Sequence, residues 1–309
     1  MRKVAFFVPK FEAVYVNSNY FRMANELLKR GISVTLLFID TLSLHKSHIT
    51  ASGWEHTQLV HKVQPPHELT RFNVREFTDL WIFSLGAKES FLDKYQLLYT
   101  SSCGIHFINS LEAIMHLKSK YYITSNTKVF RHPETHASTD ANELLDIVES
   151  SKNTWIAKPP AGSLGRDVFL LQPGNSNNRV ILENLCGSRG DQYALVQKHI
   201  SEIEYGEKRV LIAGAKVVGQ YKRLATGDHR TNLLRGAKTE ACDLTPDETA
   251  YCNQIGVWLR GIGANYVGID MVYPWVIEFN VVNPGGLMTI EDLTGKDLAP
   301  KILDQLNLT

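Results

Sequence analysis

Residues 4–39 constrain the fold more than any other stretch. Val4-Ala5-Phe6-Phe7-Val8 is a short apolar run. Tyr20 to Arg30 places Phe21, Ala24, Leu27 and Leu28 on one helical face, Gly31 stops that pattern, and Ser33–Ile39 is apolar again. Strand, helix and strand in this order form a βαβ unit, whose crossover returns the chain to the same end of a sheet and so makes the strands parallel. Two further runs, Asp79–Phe83 and Ile105–Asn109, extend the sheet, with a helix expected near 90–102 between them. The expectation for residues 1–116 is an open, Rossmann-like α/β domain.

That architecture does not carry a function by itself. No G-x-G-x-x-G follows the first strand and no G-x-x-x-x-G-K-[ST] occurs, so dinucleotide and P-loop chemistry lack their phosphate-binding turns. With Lys+Arg 33 against Asp+Glu 32, the net charge of +1 offers no footprint for nucleic acid or an anionic membrane. Small-molecule partners are expected, and a homo-oligomer is compatible with this composition. Cys103, Cys186, Cys242 and Cys252 form no C-x-x-C pair and no zinc spacing, which predicts reduced, structural thiols and a cytoplasmic location. The apolar run that opens the chain ends at Pro9, unlike a signal peptide, and no stretch is long enough for a membrane span.

Beyond residue 116 the texture changes to short strands, a helix near Asp140–Glu149 and a Gly/Ser/Asn-rich stretch at 173–190 that reads as loop. The divisions expected are 1–116, 117–196 and 197–309. Strand Thr154–Ala157 delivers Lys158 to Pro159-Pro160-Ala161-Gly162-Ser163-Leu164-Gly165-Arg166, followed by strand Asp167–Leu171. A lysine beside a glycine-bearing loop supplies charge and approachable N–H groups to phosphate, although surface lysines before turns are common.

Near the end, Gly268-Ile269-Asp270-Met271-Val272-Tyr273-Pro274-Trp275-Val276-Ile277-Glu278-Phe279-Asn280 reads as two strands and a turn. Alternation points Glu278 and Asn280 the same way, and a three-residue loop at 273–275 sets Asp270 opposite Glu278. Two carboxylates and an amide on one face repel unless something positive sits between them, and oxygen ligands suit magnesium. A half-exposed hairpin with a wet polar face is the plainer reading of that motif alone.

Taken in order, the lysine and glycine loop, the strand Ala194–His199 with its acidic Lys208-Arg209-Val210 continuation, Arg230-x-Asn232-x-x-x-Gly236, and Gly268-x-Asp270 with Glu278-x-Asn280 resemble the ATP-grasp carboxylate–amine ligases, most closely the bacterial glutathione synthetase branch. The resemblance covers roughly residues 117–290. It implies an ATP-grasp fold of two α+β subdomains clasping ATP, the first carrying a phosphate lid. It also implies ATP as co-substrate, two Mg2+ ions, an acyl-phosphate intermediate and an amide product from an amino-acid-type acid and a small amine. On this resemblance Asp270, Glu278 and Asn280 match metal ligands. Lys120 (with Lys118 the alternative), Lys158, Gly162, Ser163 and Gly165 match phosphate-binding positions. Gln197, Lys198, His199 and Ile200 match the adenine-lining segment, and Glu204 or Glu207 the ribose contact. Arg209, Arg230 and Asn232 match the groups that steady the acyl phosphate, and Arg223, Asn283, Gly285 and Gly286 the substrate contacts.

Departures accompany it. The loop is poorer in glycine than the family's, and Phe83-Ser84-Leu85-Gly86-Ala87-Lys88 lacks the arginine–acid–proline signature of glutathione synthetases, which puts γ-glutamylcysteine in doubt as the acid. D-alanine–D-alanine ligase-like and glutamate-adding ligases, and a non-catalytic nucleotide-binding regulator, remain alternatives. His132-Pro133-Glu134-Thr135-His136 lacks the order of a zinc motif and reads as loop entering a helix. Cys186–Gly190 reads as connector, and Thr294-Gly295-Lys296-Asp297 as the start of the final helix.

Overall fold

The computed structural model describes residues 2–9, 18–59, 68–126, 128–162, 167–224 and 238–308. The first part contains β1 (Val4–Val8), α1 (Asn19–Lys29), β2 (Val34–Phe38), β3 (Ser43–His45), β4 (His48–His56), β5 (Thr70–Asn73), β6 (Asp79–Ile82), α2 (Phe91–Thr100), β7 (His106–Ile108) and α3 (Leu111–Leu117). Strands β2, β1, β6 and β7 are parallel neighbours in that order, as the βαβ pattern requires. The sheet is not purely parallel. β4 pairs antiparallel with β2 and carries β3 and β5 at that edge, an extension that short, mixed-polarity strands such as Ser43–His45 do not announce.

The middle part has β8 (Thr135–Ser138), α4 (Ala141–Glu149), β9 (Trp155–Lys158), β10 (Phe169–Leu171), α5 (Asn178–Cys186) and β11 (Ala194–Lys198), in an antiparallel sheet ordered β10-β9-β11-β8. Three expectations fail in detail. The 173–190 stretch contains α5, because Leu182 and Cys186 fall one turn apart on a buried face despite the polar composition around them. Cys186 closes that helix, with Gly187 at φ 77° as its cap, so 186–190 is a helix end rather than a free connector. The His132–His136 segment enters a strand, β8, and not a helix.

The last part comprises β12 (Glu207–Ala213), β13 (Lys216–Leu224), β14 (Lys238–Glu240), α6 (Pro246–Gly261), β15 (Tyr266–Val272), β16 (Trp275–Asn280), α7 (Leu287–Thr294) and α8 (Ala299–Gln305), with sheet order β14-β13-β12-β15-β16. Thr294-Gly295-Lys296-Asp297 ends α7 instead of starting α8: Gly295 adopts φ 66°, the left-handed geometry that terminates a helix, and Asp297 pairs with Arg22. Both faces of β12 are covered. Val210 and Ile212 share a core with Phe7, Leu80 and Ile114 of the first part, while Leu211 and Ala213 pack with Phe6, Trp81 and Leu303. Buried Asn109 latches the parts together by donating to the carbonyls of Tyr266 and Val281 at 2.6 and 2.5 Å and accepting from Tyr266 N at 2.7 Å. Among the described residues no helix is long and apolar enough to cross a membrane, and all four cysteines are free.

Candidate functional site

Register builds the first half of the site. On the five-stranded sheet Arg209 lies opposite Asp270, and Asp270 opposite Glu278, so one row crosses β12, β15 and β16; Glu207 lies opposite Arg223 one step away. Asp270 reaches its place by a route the sequence did not indicate. The turn is the two residues Tyr273-Pro274, with Val272 paired to Trp275, and a bulge at Ile277 supplies the extra residue that a three-residue loop would have supplied. The bulge also explains why Val276 and Phe279, three apart, both face the core.

These side chains form a buried chain of charge. The Arg209 guanidinium grips Asp270 with two N–H groups, one of them at 2.9 Å, and a third N–H meets the carbonyl of Pro284. Arg223 bridges Asp270 at 2.7 Å and Glu207 at 2.8 Å. Burial alone would raise the Asp270 pKa, but Arg209 and Arg223 outweigh it and hold the carboxyl well below the usual carboxylate range. In the same exchange the pKa of Arg223, which burial alone would lower, is driven up by Asp270 and Glu207. The positive partner that the paired carboxylates demanded is thus built into the protein.

Asn280 donates to Asp270 at 3.2 Å, and Lys120 pairs with Glu278 at 3.0 Å. Lys120, not Lys118, is therefore the lysine that reaches the hairpin; Lys118 stands behind it, its pKa lowered first by burial and then by the like charge of Lys120. The Glu278 side chain keeps 31% exposure, with one oxygen on Lys120. No group of three or more His, Cys, Asp and Glu side chains able to hold a metal occurs among the described residues. A cation here would rest on Glu278, Asp270 and the Asn280 amide oxygen, a hard oxygen set that fits magnesium, which keeps several positions for water or phosphate.

The second half of the site comes from the four-stranded sheet. Lys158 ends β9 beside Leu195 of β11, buried to 7% exposure, and donates to Gln197 Oε1 at 2.8 Å. Burial first, then the like charge of Lys120, pull its pKa down to about 8, against the opposing pull of Glu278, Glu207 and Asp270. That list of neighbours ties the two sheets into one site. Sequence reasoning missed His132, which touches Gln197 at 3.1 Å. Its position in a Pro-flanked loop gives no periodic signal; the histidine in a rejected metal motif was the available clue.

The remaining candidates are placed as follows. Lys198 and His199 are half-buried and Ile200 is buried at the end of β11, while Glu204 is exposed in the short 3-10 helix at 201–205 and Glu207 is buried against Arg223. Asn283 is exposed and accepts from Asn19 at 2.9 Å. Gly285 and Gly286 have φ 67° and 83°; a Cβ on Gly286 would lie 2.7 Å from the Tyr221 ring, so this turn needs glycine to fold over Arg209. Gly162 turns back on Pro159. Ser163, Gly165, Arg230 and Asn232 lie outside the described residues.

Residues 119–295 match the family model described as prokaryotic glutathione synthetase, ATP-grasp domain. The glutathione synthetase of Nostoc sp. is 32% identical over 210 residues, 68% of this chain and 64% of that protein. The enzyme of Thermosynechococcus vestitus is 27% identical over 197 residues, 63% and 61% of the two chains. The matches thus span under two thirds of these relatives' length. Among solved structures, the D-cycloserine synthetase DcsG superposes with a TM-score of 0.70 at 13% identity, covering 99% of this chain and 100% of that one, which extends the likeness of fold to the first part. A buried arginine–carboxylate row facing two lysines, set in an ATP-grasp fold and matched by that family model, places the chain in the prokaryotic glutathione synthetase ATP-grasp family.

Proposed function

We propose that this protein is an ATP-dependent carboxylate–amine ligase, activating an amino-acid-type acid as an acyl phosphate and passing it to a small amine. The observation that carries this reading is the convergence of Lys120 from the segment after α3, Lys158 from β9, Asp270 from β15 and Glu278 from β16. Phosphoryl transfer asks a protein mainly for positioning and for cancellation of charge on phosphate oxygens, and this group offers both. Lys158 and Lys120 would hold the phosphates, with the end of β11 and its continuation taking the adenine and Glu204 or Glu207 the ribose. Asp270, Glu278 and Asn280 would hold magnesium, two ions on the family pattern, which when bound supplies further charge cancellation. Arg209 is fixed by Asp270 and the Pro284 carbonyl, so its guanidinium meets substrate without reorganising; Arg230 and Asn232 are assigned alongside it by sequence alone. The three-part division at 116 and 196 belongs to the same proposal.

The charge balance bears on the acid. Arg209 and Arg223 are already offset by Asp270 and Glu207, so the surplus lies with Lys118, Lys120 and Lys158, which face Glu278. An acid with a second carboxylate or an amino-acid end group suits that surplus, and the Gly285-Gly286 turn, which offers backbone rather than side chains, suits a glycine-sized amine. A γ-glutamyl acid is the first choice. The test pairs γ-glutamylcysteine, other γ-glutamyl compounds and free amino acids with a panel of amines, reading phosphate release beside product mass. Amide formation by at least one pair is expected. No amide from any pair, despite tight ATP binding, would move the reading to a regulatory nucleotide-binding protein.

A further inference from the structure

The partners in the network behind Lys158 assign its donors and acceptors. His132 Nδ1 lies 2.8 Å from the carbonyl of Val276, which can only accept, so Nδ1 carries the ring proton and Nε2 is left as an acceptor. Thr135 Oγ1 lies 2.8 Å from the Pro133 carbonyl and 3.3 Å from His132 Nε2; donating to the nearer carbonyl, it is likewise left accepting. The Gln197 amide group has two N–H donors, and these two acceptors take them at 3.1 and 3.0 Å. Its oxygen must then face Lys158, which donates to it at 2.8 Å. Were the amide flipped, two N–H donors would meet an ammonium and an oxygen would meet two lone pairs.

The same network crosses the molecule. Val276 belongs to β16, and Val276 N is held by the Arg131 carbonyl at 2.9 Å, so the His132 loop is docked on the hairpin that carries Glu278. Gln197 and Thr135 are register partners on β11 and β8 of the other sheet. Burial, then the charges of Lys158 and Lys120, outweigh the Val276 hydrogen bond and hold the His132 pKa near 4, which keeps the ring neutral and the direction of the network fixed at neutral pH.

We infer that His132 is a positioning residue that, through Gln197, fixes the direction in which Lys158 is presented and ties that lysine to the Asp270–Glu278 hairpin. The inference rests on the nucleotide reading above, in which Lys158 meets ATP phosphates. A hydrogen-bond lock of this size is expected to be worth roughly three- to tenfold in affinity.

The experiment measures MgATP binding to the full chain by calorimetry for the wild type, His132→Phe, Gln197→Met and the double variant, with melting temperatures alongside. His132→Phe is expected to weaken binding roughly three- to tenfold, Gln197→Met by a similar factor, and the double variant no more than the worse single one. Thr135→Val removes the other acceptor without touching the ring. It is expected to weaken binding about threefold, and it supplies the measurement should His132→Phe fail to fold. Nitrogen NMR of labelled histidine is expected to show the Nδ1–H tautomer for the signal lost in His132→Phe. Wild-type affinity in both His132→Phe and Thr135→Val, additive losses in the cycle, or an Nε2–H ring would overturn the inference. A wild type that binds no MgATP would instead overturn the nucleotide reading on which it stands.

Discussion

The two halves of the site solve opposite problems. On the five-stranded sheet, buried charges are matched: Arg209 and Arg223 clasp Asp270, and Arg223 also takes Glu207. On the four-stranded sheet, Lys158 is as deeply buried but hydrogen-bonds to a neutral amide and has no carboxylate within ion-pair distance among the described residues. The consequence appears in the pKa values, with Asp270 held firmly ionised and Lys158 brought down to about 8. A matched cluster is a fixed structural part. A buried ammonium whose hydrogen bond among the described residues goes to a neutral amide is a group prepared for an anion that arrives later, and it costs stability until that anion binds.

The largest effect that tests this contrast is on stability. Arg223→Leu takes the bridging guanidinium away from Glu207 and Asp270 in the interior and should destabilise the fold by about 3–5 kcal/mol, whereas Lys158→Met removes a desolvated charge and should leave stability within about 1 kcal/mol of wild type or raise it. Denaturant unfolding of the two variants checks this, and equal losses would break the comparison. The proposed chemistry comes next. Glu278→Gln should cut turnover by two orders of magnitude or more, about 2.7 kcal/mol or above, with little loss of stability because the side chain is partly exposed. Asp270→Asn is the poorer probe of metal binding, since it also removes the charge that Arg209 and Arg223 share. Steady-state kinetics with matched melting curves separates the cases, and near-normal ADP production by Glu278→Gln would remove that residue from the metal site.

The smallest effect is in pH. Lys158 loses its proton as pH rises through about 8, so MgATP affinity should fall by up to tenfold per pH unit above that value. Below it, affinity should be flat, and near pH 8 binding should take up a proton, seen as a calorimetric enthalpy that changes with buffer. Asp270 contributes nothing to this window. Its pKa is depressed, so the stability it brings is complete above the unfolded value of about 3.9 and is lost only as pH falls below it. A Lys158→Met variant that keeps the alkaline loss of affinity would assign that titration elsewhere.

Much of the architecture was legible from local pattern. The βαβ start needed only periodicity and Gly31, α4 falls within the stretch read as a helix at 140–149, and the common facing of Glu278 and Asn280 needed only strand alternation, whereas Asp270 comes opposite Glu278 through a bulge that alternation does not show. Motif order gave the family. Where the reading failed, it failed for physical reasons. Helix α5 hides two buried residues in polar sequence, β3 to β5 are too short to show a period, and Gly295 can end a helix as readily as it precedes one.

By itself the sequence determined which residue types could do chemistry and, through periods of two and 3.6 residues, which faces they would share. Tertiary structure decided how each was charged and used. That Asp270 is clasped by arginines from two other strands, that Lys120 rather than Lys118 reaches Glu278, and that His132 stands behind Gln197 all depend on contacts distant in the chain, 61 residues for Arg209 and Asp270, 158 for Lys120 and Glu278 and 65 for His132 and Gln197. Burial and charge pairing at such separations act through distance in space and local dielectric, and neither quantity is written in the order of residues.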